Sequence, residues 1–190
     1  MLLTAVVKSK LTHVIPGGTG VYAVTSLGDD VFVVCDGSRQ VEVYDAWTFT
    51  LQRYIMVPEF GIKCGRFWGL SACAHHQCLY VSDDVNDNIH RAELSGSKAV
   101  KQWSVAGGPA GLSVNKAHNV VVACSGENKI QEYTTHGALV REISLEPTVV
   151  TRPWHAVQLS TGDYVVSECE KLGAVSVIGV DGQDVRSYCP

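Results

Sequence analysis

Helical periodicity is almost missing from this chain. No window of its 190 residues repeats apolar positions at helical spacing, which turns the reading away from bundles and from alternating strand–helix folds. A long apolar run is missing too: none approaches the length of a bilayer-crossing helix, so no membrane span is expected. The opening MLLTAVVKSK has no basic residue before its short apolar run and no convincing cleavage site, which argues against a secretory signal. Positive charge is not in excess. Fifteen Lys and Arg stand against nineteen Asp and Glu, a formal net charge of −4, whereas surfaces that grip phosphates are usually basic. The seven cysteines are odd in number and scattered, without the framework of a small disulfide domain. They read as reduced thiols of a cytoplasmic protein.

What is present is an ordinary globular composition, 46% hydrophobic and 18% charged, in a chain long enough for one well-buried domain or one stack of small repeats. The apolar residues gather into β-branched runs, VFVV (31–34), LYVS (79–82), VVVA (120–123) and DYVVS (163–167), each bounded by Gly, Asp, Asn or Ser. That is the grammar of strands and turns. The runs also repeat. Tyr22, Trp68, Ala110 and Trp154 hold equivalent positions in four segments, separated by 46, 42 and 44 residues. A period of this size with about four short strands per unit marks a β-propeller blade.

Each unit divides the same way. A lead-in strand (Val21–Thr25, Phe67–Ala72, Ala110–Val114, Trp154–Leu159) precedes the β-branched second strand. The third carries Val41–Tyr44, Ile89–Ala92, Ile130–Tyr133 and Val175–Val180; the fourth carries Leu51–Met56, Val100–Val105, Val140–Leu145 and Val185–Tyr188. The expectation is one all-β domain over 1–190, with blades near 20–57, 66–106, 109–146 and 153–190. Residues 1–15 read as the outer strand of a preceding blade. Four blades of a ring leave open sheet edges, which invite self-association.

The stretch PAGLSVNKAHNVVVACSGENKIQEY (109–133), and next WGLSACAHHQCLYVSDDVNDNIHRAEL (68–94), resembles the NHL repeat. That pattern runs from P-x-G-I/L through a strand ending near Asp to an Asn-rich turn and an I-x-x-F/Y strand. The likeness covers nearly the whole chain, with the first and fourth units degenerate. It implies an open or partial ring of a six-bladed type. Such propellers serve as binding platforms and, in relatives, as enzymes.

Two segments invite a metal. Cys73, His75, His76 and Cys78 form C-x-H-H-x-C, but strand alternation sends neighbours to opposite faces, and the aligned segments of other blades are plain hairpin turns. Asp83–Asn88 supplies acids and amides, yet as an EF-hand loop it would place Ile89 where glycine belongs and Ser95 where glutamate belongs. Both are read as turns flanking one strand, and neither a metal nor a cofactor is expected. Cys35 and Cys124 share a repeat column with Ser82 and Ser167, a column of small packing residues rather than of nucleophiles.

Function is expected on the face shared by the lead-in loops and the turns between strands two and three. The candidate partner-binding residues there are Arg66, Trp68, Arg152, Trp154 and His155 from the lead-ins, with Arg39, Asn86 and Lys129 from the turns. The repeated Arg-x-aromatic pattern stands out, since Arg and Trp anchor many protein interfaces. Trp68 and Trp154 would otherwise serve as packing between blades. A non-enzymatic platform for a protein or peptide is the first reading. RNA binding, seen in some NHL domains of tripartite-motif proteins, is second; aromatics stack bases, but mixed charge disfavours phosphates. A metal-dependent lactonase- or lyase-like enzyme is third, by analogy with related propellers, and would draw on His155, Asp36, Asp83 and Glu168.

Overall fold

Short apolar runs that carry no helical stripe bury themselves by pairing, and the computed structural model forms sheets throughout. It describes residues 20–35, 38, 40–57, 67–95, 100–169 and 175–188. Among these residues sixteen strands make four antiparallel sheets of four, each in chain order. Blade one is β1 (Val21–Leu27), β2 (Asp30–Cys35), β3 (Gln40–Asp45) and β4 (Leu51–Met56). Blade two is β5 (Phe67–Cys73), β6 (Cys78–Asp83), β7 (Asn88–Glu93) and β8 (Val100–Ser104). Blade three is β9 (Pro109–Val114), β10 (Val120–Cys124), β11 (Lys129–Tyr133) and β12 (Leu139–Ser144). Blade four is β13 (Pro153–Gln158), β14 (Tyr164–Glu168), β15 (Val175–Ile178) and β16 (Asp184–Tyr188). No helical segment occurs among the described residues, and no helix is long and apolar enough to cross a membrane.

The strands fall where the sequence puts them, with shifts of a few residues at their ends. In blade one the first strand runs on to Leu27 rather than Thr25, and in blade four the third stops at Ile178 rather than Val180. Gly179 N–H there donates to the Gln183 carbonyl, closing a turn that takes the backbone off the ladder. The segment expected as the outer strand of a preceding blade, 1–15, lies outside the described residues.

Packing runs between blades rather than within them. Phe32, Val34, Val41 and Val43 of blade one meet Phe67, Leu70, Leu79 and Val81 of blade two. Tyr80 and Ile89 meet Leu112, Val120 and Val122 of blade three, and Val121, Ala123 and Ile130 meet Ala156, Tyr164 and Val166 of blade four. Both faces of the middle sheets are therefore covered. This explains why second strands such as β6 and β10 are buried at every residue and lack polar alternation.

Lead-in strands line the inside of the arc: β1 packs on β5, β5 on β9 and β9 on β13. Close approach is bought by glycine. A Cβ on Gly69 would meet the Ala110 carbonyl oxygen at 2.3 Å, and one on Gly111 would meet the Trp154 carbonyl oxygen at 2.5 Å. Ser82 locks the first of these contacts. Its hydroxyl donates to the Ala110 carbonyl (2.6 Å) and accepts from Gly69 N–H (2.7 Å). The small-residue column read from the sequence thus has a packing role in blade two.

Candidate binding site at the propeller axis

The four lead-in strands start on one face, and backbone bonds tie their approach loops to the turns between second and third strands. Ser125 and Gly126 N–H donate to the Gly108 and Gly107 carbonyls, and Cys169 N–H donates to the Arg152 carbonyl. Around the axis on this face the strands line an open, shallow cavity of about 260 Å³. Its wall includes Tyr22, Trp68, Leu70, Leu112, Trp154 and His155.

Three aromatic rings from three blades meet there. Tyr22 and Trp68 have ring centroids 4.3 Å apart, and Trp68 meets Trp154 edge-on at 5.0 Å with planes at 78°. Blades two and four reach each other across blade three because its equivalent residue is the small Ala110. All three rings are half-buried, and none belongs to the clusters packed between blades. Edge-to-face geometry stabilises such a pair while leaving a face of each ring open to a guest.

His155 occupies the repeat position held by Gly69 and Gly111 in the preceding blades. Its ring lies against Gly111, and burial pushes its pKa below the ordinary histidine value. The wall around the cavity is therefore aromatic and uncharged near neutral pH.

The other expected residues part ways. Arg152 is exposed on the lead-in of blade four. Asn86 serves its own turn, its side-chain amide donating to Asp83 Oδ2 at 2.7 Å. Lys129 is held by Glu127 at 2.5 Å and Glu142 at 3.1 Å. Arg39 and Arg66 lie outside the described residues.

Of the set considered for a metalloenzyme, Asp36 lies outside the described residues. Asp83 is buried with His90 Nε2 at 3.6 Å; burial pushes its pKa up, but His90 and Asn86 outweigh this and hold it low. Glu168 accepts from Thr151 N–H and Oγ1 at 3.2 and 3.1 Å. Among the described residues, no three His, Cys, Asp or Glu side chains are arranged to hold a metal ion. Cys73 and Cys78 are a buried cross-strand pair beneath an exposed turn, and burial pushes the Cys78 and Cys124 thiols up, the latter to about 12. Neither is a nucleophile at neutral pH. Sequence reasoning missed Tyr22 as a wall residue and His90 as the partner of Asp83. The column shared by Tyr22, Trp68 and Trp154 was the signal for the first.

The fold and the axial cavity place the chain among β-propellers, as a run of four four-stranded blades. No protein-family model and no curated protein matches the sequence. Solved structures do. The hydrazine synthase of Kuenenia stuttgartiensis superposes with a TM-score of 0.71 at 20% identity, over 93% of this chain and 51% of that one. A catalytically inactive histidine-to-alanine variant of the virginiamycin B lyase of Staphylococcus aureus, solved with quinupristin, superposes with a TM-score of 0.72 at 17% identity, over 91% of this chain and 57% of that one. A streptogramin B lyase gives a TM-score of 0.71 at 16% identity, over 90% and 54%. At such identities the likeness is one of fold, and this chain spans about half the length of each.

Proposed function

We propose that this chain is a non-enzymatic, NHL-like platform that binds a protein or peptide, and that the axial cavity receives one large side chain of the partner. The carrying observation is the Tyr22–Trp68–Trp154 cluster: three half-buried rings line a cavity of about 260 Å³ instead of closing a hydrophobic core. An aromatic or cationic side chain suits this wall, through stacking or through the ring faces. Backbone groups of the surrounding turns stand on the same face to fix the rest of the peptide. RNA fits less well, because Lys129 on this face is already held by two glutamates and phosphates call for uncommitted cations.

Panning a random-peptide display library on the purified protein tests the reading, with the Trp68→Ala/Trp154→Ala protein as counter-selection. The expected outcome is a family of peptides sharing one aromatic or basic residue that the double variant fails to retain. Peptides that bind both proteins equally would refute the site.

One observation favours a second reading, a lyase-like activity: His155, held neutral by burial, faces the cavity and is placed to accept a proton. Incubation with a streptogramin B, followed by mass spectrometry of the product, separates the two. Turnover lost in His155→Ala would favour the enzyme, and an intact antibiotic would favour the platform.

A further inference from the structure

A joint between blades has two halves, and the arc carries one further half at each of its ends. Along second strands the two faces of a blade alternate. Val120 and Val122 of β10 turn back to blade two, while Val121 and Ala123 turn on to blade four. The same alternation puts Val31 and Val33 of β2 on the face of blade one turned away from blade two. It puts Val165 and Ser167 of β14 on the face of blade four turned away from blade three. Strand register extends both faces. On blade four Val165 stands between Val157 and Val177, and Ser167 beside Val175. On blade one Val33 pairs with Val24, and Val31 with Ser26 and Tyr44. Among the described residues, no packing comparable to that between neighbouring blades covers either face. Val24 is accordingly 63% exposed and Val157 43%. Single exposed valines are ordinary, but a stripe of them across three paired strands marks a contact surface.

The joint between blades three and four shows how these two faces differ from an internal one. There Ser113 Oγ donates to the Ala156 carbonyl (2.7 Å), Asn115 Nδ2 to Gln158 Oε1 (3.0 Å), and the Tyr164 hydroxyl to Glu132 Oε2 (3.3 Å). By register and turn bonds, Val157, Leu159 and Val177 of blade four stand where blade three has Ser113, Asn115 and Glu132. Val24, Ser26 and Val31 of blade one stand where blade four has Ala156, Gln158 and Tyr164. The bonded pair Glu132–Tyr164 thus becomes Val177 against Val31, and Ser113–Ala156 becomes Val157 against Val24. Only Leu159 against Ser26 stays mixed. A carboxylate replaced by valine on one half is matched by a phenol replaced by valine on the other. The outcome is an aliphatic pair of faces, as between blades one and two, where Leu27 and Val43 share a cluster with Ala72 and Leu79.

We propose that a second copy of this chain covers both faces. The blade-four face of each copy packs on the blade-one face of the other, and the two head-to-tail contacts close a ring of two chains about the propeller axis. A copy fits better than a foreign partner because the two halves match each other and both lie on this chain. The hydrazine synthase and virginiamycin B lyase chains are covered over 51% and 57% of their lengths, so two copies supply a comparable span of propeller. Aliphatic sheet faces pack about 10 Å apart without directional bonds, and closure removes both valine surfaces from water. The contact joins faces, unlike the pairing along open edges expected from the sequence, and it does not depend on what the axial site binds.

Sedimentation of the purified chain over about 1–100 µM, the range that brackets a micromolar dimer, tests this. The wild type should be a dimer with no larger species. Val24→Lys and Val157→Glu, both at exposed positions, each spoil one half and should each weaken association at least tenfold, with urea melts confirming that the variants fold. The two changes combined in one chain put opposite charges across each contact, and that variant should associate more tightly than either single one. A wild type still monomeric at about 100 µM would overturn the proposal. So would loss of association in Val157→Glu alone, the mark of a blade-four face packed on itself, or wild-type association in both single variants. Open assemblies that grow with concentration would overturn the closed ring.

Discussion

Gly69 and Gly111 set how near the lead-in strands come to one another, and both would place a Cβ into a neighbouring backbone. Backbone cannot step aside as a flexible side chain can. Gly69→Ala and Gly111→Ala are therefore expected to destabilise the fold by about 1–3 kcal/mol, the usual cost of overpacking. Gly20→Ala, with nothing within 4 Å of the added carbon, should leave a urea midpoint unchanged; equal effects at all three positions would contradict the packing account. His155 gives a second residue-scale expectation. Its pKa is lowered in the folded state, so the unfolded chain binds its proton first. Stability should then fall as pH drops below the unfolded value of about 6.5, and stop falling once the folded-state pKa is passed. Urea melts between about pH 7 and pH 5 should show this slope, and His155→Phe should reduce it.

Within a blade, burial falls steeply from the second and third strands to the fourth. β10 is buried throughout, while β12 is exposed at all but Ile143. Truncating Ile130 in β11, which packs between blades three and four, should cost about 2–5 kcal/mol. Leu139→Ala on β12, where the side chain is 53% exposed, should stay within about 0.5 kcal/mol. Denaturant melts of the two variants check the contrast. This gradient was legible in the sequence, because a sheet covered on both faces reads as an unbroken β-branched run. The C-x-H-H-x-C segment was legible only as a turn. Strand alternation separates its thiols from its imidazoles, but nothing along the chain tells that His75 will meet His118, a residue from the next blade. The Arg-x-aromatic repeat likewise pointed at Trp68 and Trp154 without showing that the two rings touch. That contact depends on Ala110 leaving room between them, and on how far each blade turns about the axis.

At the scale of the whole molecule, four sheets stand in an arc with their lead-in strands inward. The two ends of the arc differ from its middle: no packing comparable to that between neighbouring blades joins β13 to β1 among the described residues. Val24 on β1 and Val157 on β13 are correspondingly exposed. The axial face gathers the half-buried aromatics, and the opposite face gathers His75, His76 and His118. The central claim is that the aromatics are kept for a guest. An edge-to-face pair contributes about 0.5–1.5 kcal/mol beyond its area, whereas a tryptophan buried in a core costs about 3–5 kcal/mol when truncated. The most direct measurement is the affinity of a selected peptide for the wild type and for Trp68→Ala/Trp154→Ala, read beside urea melts of both. The account predicts binding weakened by about thirtyfold or more, some 2 kcal/mol, with stability lowered by less than the roughly 3–5 kcal/mol of a single core tryptophan. Undiminished affinity, or a variant that loses stability on the scale of a core truncation, would contradict it.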